Sequence, residues 1–169
     1  DNLPSVLNDS QQTRKNMYNN VSHKTYKTLS NGARITKNVG SGSREGITVY
    51  HTLDDESKEV IHKSVIAIDI DGKNKIEYND SIDRVKDHQK LPKNHAADIT
   101  YEHFLNSEYP MRTANVQSVY GNRMWHGLLD RAMNDGYHAY YSKKGVLKKI
   151  TPENKQECLS SYFSKDLYA

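Results

Sequence analysis

The residues best placed to meet a ligand lie in one polar stretch, Asn115-Val116-Gln117-Ser118-Val119-Tyr120-Gly121-Asn122-Arg123-Met124. Just after it, Trp125, Leu128, Leu129 and Ala132 recur at i, i+3, i+4 and i+7, the spacing of one helical face. The first amides of a helix lack internal acceptors and carry partial positive charge, and a glycine at the entry lets an anion approach the backbone. Such a joint can hold a phosphate or pyrophosphate. From spacing alone, a lone glycine favours a plain strand-helix-strand crossover over such a site.

Other reactive side chains form no comparable group. His51, His62, His88, His95, His103, His126 and His138 are scattered without an H-x-x-x-H pair, and Cys158 is the single cysteine. Zinc sites normally show closely spaced ligand pairs, so these histidines read as structural or surface residues. Cys158 falls on an apolar helical face with Leu159, Tyr162 and Phe163, where a thiol packs as a small hydrophobe.

The elements around the polar stretch can be read in order. A short strand, Met111 to Ala114, precedes it. The helix should stop at Gly136, and the tyrosine-rich Tyr137 to Ser142 reads as the returning strand. Upstream, Asn31-Gly32 marks a hairpin between His23–Leu29 and Arg34–Lys37. Gly40 to Gly46 reads as a loop or linker. Ile47–Thr52, Val60–Ile70 and Lys75–Tyr78 form an expected antiparallel meander, the second run rich in β-branched residues. Ser81 to Lys90 reads as a short charged helix or solvated loop, and Asn94 to Asn106 as a longer helix. Gly145 to Ile150 is a strand candidate. Thr151-Pro152 opens a last helix, with threonine as cap and proline in the first turn. Residues 1–20 read as an arm or weak helix, and 21–169 as one domain. The expected class is α/β (α+β).

The segment VYGNRMWHGLLDRAMNDGYHAYY resembles the central acyl-CoA-binding segment of the GNAT acyl-CoA N-acyltransferases. That family has a strand, a Q/R-x-x-G-x-G/A loop, a helix with a leucine pair and an alanine, then a glycine and a strand. Gly121, Leu128, Leu129, Ala132 and Gly136 match in order and spacing. Gln117, Ser118, Gly121, Met124 and Trp125 are also similar to a loop of small phage-encoded GNAT-like proteins. Ser118 stands where the usual loop has Gln or Arg, and Arg123 where it has Gly or Ala. Arg123 either pairs with a phosphate or fills the backbone cradle.

The resemblance implies a central mixed, mostly antiparallel sheet flanked by helices. It implies acetyl-CoA held by Gln117, Ser118, Val119, Tyr120, Gly121, Asn122, Arg123 and Met124, with Asn154 nearby. The implied reaction is transfer of an acetyl group to an amine on a protein or small molecule. The strand Met111 to Ala114 would orient the thioester carbonyl. Glu108, His126 and His138 are candidate bases, and Tyr140 or Tyr162 candidate acids. The narrowest catalytic set is Tyr162, His138 and Glu108. The segment from Asn94 to Asn106 is an extra helix relative to that family's usual path.

Two other readings remain open. Thr48-Val49-Tyr50-His51-Thr52 is similar to the Tyr-His strand of diphtheria-toxin-like ADP-ribosyltransferases, although Glu153 and Glu157 fall in an expected helix rather than on a late strand. Lys143, Lys144, Lys148 and Lys149 cluster near Tyr137, Tyr140 and Tyr141, a pattern suited to a nucleic acid. A non-catalytic GNAT-like scaffold, serving as a phage or virion protein that meets a host protein or nucleic acid, belongs with this reading.

Composition sets outer bounds. The 169 residues suffice for a sizeable core, yet mean hydropathy is −0.90. Twelve tyrosines against two phenylalanines place much of the apolar burial in amphipathic rings. A net charge of +3 is too small to drive nucleic-acid binding by itself. One cysteine fits a reducing compartment, so the expected location is cytoplasmic, in a host cell or a virion if phage-encoded. No apolar run approaches the ~20 residues of a membrane span.

Overall fold

The computed structural model describes residues 10–113, 119–143, 145–160 and 167–168. The fold is mixed α+β, built on a mostly antiparallel sheet together with helices. No helix among the described residues is long and apolar enough to cross a membrane. Among the described residues the contacts gather into two compact units, one over residues 10–67 and 79–99, the other over residues 68–78 and from 100 onward. The long strands β4 (Glu59–Asp71) and β5 (Asn74–Arg84) contribute to both.

In the first unit, α1 (Gln11–Asn20) is capped by the Ser10 hydroxyl, which accepts from the Thr13 amide. It buries no side chain and is tethered by polar contacts, Arg14 to Glu59 and the Tyr18 hydroxyl to Asp55. Strands β1 (Thr25–Thr28) and β2 (Arg34–Val39) form the hairpin expected around Asn31-Gly32, and β3 (Ile47–Asp54) pairs antiparallel with both β2 and β4, the first two strands of the expected meander. Gly32 takes φ +91 in the first hairpin turn, which is why the Asn-Gly signal is reliable there. Between β2 and β3, residues 40–46 fold into an ordered turn holding a short 3-10 segment, η1 (Gly42–Arg44). The Gly40 amide donates to the Ile47 carbonyl at 2.7 Å, and a Cβ at Gly40 would run into the Arg44 carbonyl.

Residues 81–84 depart from expectation: they continue β5 rather than forming a helix or loop. The Val85 amide donates to the Ile61 carbonyl, so a partner strand overrides the weak local preference of the charged sequence.

In the second unit the strand order is β5-β6-β9-β7-β8, with β6 Met111–Arg112, β7 Tyr140–Lys143, β8 Val146–Lys149 and β9 Leu167–Tyr168. The helices here are the later part of α2 (His95–Asn106), α3 (Val119–Asn134) and α4 (Lys155–Ser160). Trp125, Leu128, Leu129 and Ala132 are all buried, as their spacing predicts. Leu129 joins Ala139, Tyr141, Ile150 and Cys158 in one cluster, so Cys158 does pack as an apolar side chain. Helix α3 closes with a paired C-terminal motif. The Tyr137 amide bonds to Ala132 O, the Gly136 amide to Met133 O, and Gly136 takes φ +91.

Candidate functional site

The site to be tested is the joint from β6 into α3. Strand β6 lies parallel to β5, with Met111 opposite Glu77 and Arg112 opposite Tyr78. Arg112 is also opposite Tyr168 of antiparallel β9, and β7 is antiparallel to β9 in turn. Strands β6 and β7 therefore run in the same sense, joined through α3, with β9 between them. In open α/β sheets ligands gather beyond the carboxyl ends of such strands.

The joint departs from the sequence expectation in three respects. First, α3 begins at Val119, so Gly121, Asn122, Arg123 and Met124 are helical rather than part of a loop. Nothing in Val119–Met124 breaks a helix outright; a glycine costs only ~1 kcal/mol relative to alanine. Second, Asn122, which the helical spacing puts with Arg123, Asp130, Arg131 and Asn134 on the side away from Trp125 and Leu129, does not lie on that face. It is buried at 9% exposure and continues the buried row of Trp125, Leu129 and Ala132 toward the helix start. Third, the strand is shorter than the expected Met111 to Ala114: β6 spans Met111–Arg112, with Arg112 opposite both Tyr78 and Tyr168, and Ala114 lies outside the described residues.

What the joint does offer is donors. Helix α3 is described over 16 residues from Val119, and its positive end is on the β6 side. Arg123 is exposed, and Gly121 and Met124 are half-buried. The Asn122 side-chain amide nitrogen is buried with no hydrogen-bond partner. A buried donor left unmatched costs roughly 1–3 kcal/mol. Of these groups the Asn122 amide is the donor left unmatched, while Gly121 and Arg123 each have a partner already. Gln117 and Ser118 lie outside the described residues, and for Val119 and Tyr120 only the helical backbone is described.

The remaining candidate residues are spread over several elements. Glu108 is exposed in the turn between α2 and β6, hydrogen-bonded to Tyr109, whose hydroxyl it pushes up in pKa. His138 is exposed ahead of β7. His126 is half-buried on α3, with burial lowering its pKa. Tyr140 is half-buried, and Tyr162 lies outside the described residues. Asn154 is engaged locally: its Oδ1 accepts from the Thr151 amide at 2.8 Å, its amide donates to Thr151 Oγ1, and Nδ2 donates to Lys149 O. That reciprocal pair is a capping box. The Thr151 cap works as expected, although regular helix starts later, at Lys155.

The seam between α2 and α3 is apolar, lined by Thr100, Tyr101, Phe104, Trp125, Leu128 and Leu129 among others. Its free volume is about 10 Å³, room for one water at most, so it holds no ligand-sized cavity. The Tyr101 hydroxyl donates to Asp135 while the Arg131 guanidinium sits 4.3 Å over the Tyr101 ring. Burial and the Asp135 carboxylate push the Tyr101 pKa up to about 12, so it stays a donor.

A buried carboxylate that the sequence reading passed over lies in the same unit. Glu77 Oε2 is 2.6 Å from His103 Nε2, and Glu77 Oε1 accepts from the Ser107 hydroxyl. Charged Glu77 sits beside Ile76 in a strand without clean alternation, so the sequence carried no signal for it. The trio ties the end of α2 to β5.

For the alternative readings, Tyr50 is buried and His51 half-buried. Burial, with Lys63 across the strand, holds the His51 pKa down to about 4. Glu153 and Glu157 are both exposed, in a turn and on α4. On β8, Lys148 and Lys149 are exposed, Lys148 lying 3.5 Å from Glu157. Tyr141 is buried, which withdraws its ring from any stacking role. Lys144 lies outside the described residues. Among the described residues no three His, Cys, Asp or Glu side chains gather as metal ligands.

The architecture thus defines an α+β protein with a β6–α3–β7 crossover and a donor-rich helix start. Compared with protein-family models and with curated proteins, the chain matches none.

Proposed function

We propose that the chain is a GNAT-like protein that binds acetyl-CoA at residues 117–124 and transfers its acetyl group to an amine. The observation that carries this reading is the buried, unpartnered Asn122 amide at the start of α3, one residue from the exposed Arg123. Together with the helix dipole these donors match the two negative phosphates of a pyrophosphate. Acetyl-CoA supplies an acyl thioester; the chain's part is to hold the phosphates and to accept the proton the amine loses. Glu108 and His138 are both exposed to an incoming amine, and the base is proposed to be one of them, with Tyr162 as acid.

Isothermal calorimetry with acetyl-CoA tests the binding step. Wild-type protein should release heat, and Arg123→Glu should weaken binding about tenfold or more, a loss of ~1.4 kcal/mol. No heat from folded wild-type protein would overturn the proposal.

A second reading has its own support. Because the base candidates are spread over several elements, the same scaffold would serve as a binding protein without chemistry. Acetyl-CoA binding without turnover on amine acceptors would favour it.

A further inference from the structure

The inner face of β3 and β4 in the first unit carries a polar group far from α3 in sequence and unused by the reading above. His62 is 1% exposed, and neither ring nitrogen has a hydrogen-bond partner. Two residues on, Ser64 is fully buried with its hydroxyl also unmatched. Opposite His62 on β3 stands buried Thr52, whose hydroxyl pairs with His95 Nε2 at 2.8 Å. The His95 ring stands edge-on to His62, centroids 4.8 Å apart and planes at 81°. Two buried imidazoles set edge to face disfavour a charge on either ring, and only the Asp98 carboxylate acts against that on His95.

We propose that the His62–His95 pair is an acid-operated latch: uncharged rings hold the first turn of α2 on β3 and β4, and proton uptake in mild acid releases residues 85–99. The charged neighbours reinforce this. Arg84 of β5 bears on His62 and Lys27 of β1 on His95, both opposing a proton, while Asp98 of α2 alone favours one on His95. Burial first, then His95 and Arg84, lowers the His62 pKa to about 3; burial lowers that of His95 to about 4.

The sign follows from linkage. Unfolded histidine binds a proton near pH 6.5 and the folded rings do not, so stability is complete above that pH and falls as pH drops toward the folded values. For His62 alone, the folded population relative to the open form should fall on the order of 100-fold between pH 7.5 and pH 4.5.

The test compares wild type, His62→Leu and His95→Gln by denaturant unfolding at both pH values, with amide hydrogen exchange read at residues 95–99. The expected result is a steep acid loss in wild type, a loss reduced at least tenfold in His62→Leu, and early acid exchange at 95–99. If His62→Leu does not fold, His95→Gln and an NMR titration of the wild-type rings decide. Equal pH dependence in wild type and the folding variants, or a His62 ring titrating near 6.5 in folded protein, overturns the latch.

Discussion

Replacing Asn122 with leucine separates what the start of α3 does for stability from what it does for binding. The Asn122 amide nitrogen is buried without a partner on the helix face that carries Trp125 and Leu129. Leucine has similar size and removes the unmatched donor, which is worth roughly 1–3 kcal/mol. It also raises helix propensity by a few tenths of a kcal/mol. Its branched end must be accommodated in a packed seam, which takes back about 1 kcal/mol or more. The expected balance is a gain of ~1 kcal/mol, or a rise of about 2–4 °C in Tm at this chain length. Chemical denaturation at pH 7.5 measures it, and acetyl-CoA calorimetry on the same variant reads the other half. The reasoning requires both outcomes: a more stable protein and weaker binding, the usual trade at a site kept for a ligand. A variant less stable by more than 1 kcal/mol would mean that the amide is satisfied within the protein, and the donor argument would fail.

Two further substitutions probe the scaffold. Leu129→Ala should cost about 2–5 kcal/mol by urea unfolding, since Leu129 is 1% exposed among Ala139, Tyr141, Ile150 and Cys158; a cost below 1 kcal/mol would refute that core. Gly40→Ala should destabilise by at least 1 kcal/mol, because its Cβ meets the Arg44 carbonyl rather than a movable side chain. A neutral result there would show that the 40–46 turn adjusts.

Local signals made much of the fold legible. The Asn31-Gly32 turn, the β-branched run of β4, the 3–4 spacing of α3 and its Gly136 stop each act within a few residues, and each stands as read. Non-local effects were not legible. Residues 81–84, polar apart from Ile82, become strand through pairing with β4; β6 finds β5 in parallel across the α2 crossover. The division of contacts into two units has no linker to announce it, because β4 and β5 run through both. At the candidate site, the glycine and the helical stripe were readable, but Asn122 looked polar and therefore outward. Only packing shows that it continues the stripe. The His62–His95 contact joins residues far apart in sequence, and periodicity cannot reveal such a meeting.

The most direct measurement of the central claim is an amide NMR titration with acetyl-CoA. The account predicts that the largest shifts fall on Val119 to Arg123 and the Asn122 side-chain amide, with α3 helical throughout. Saturating ligand that leaves those resonances in place, or moves only signals elsewhere, would contradict it.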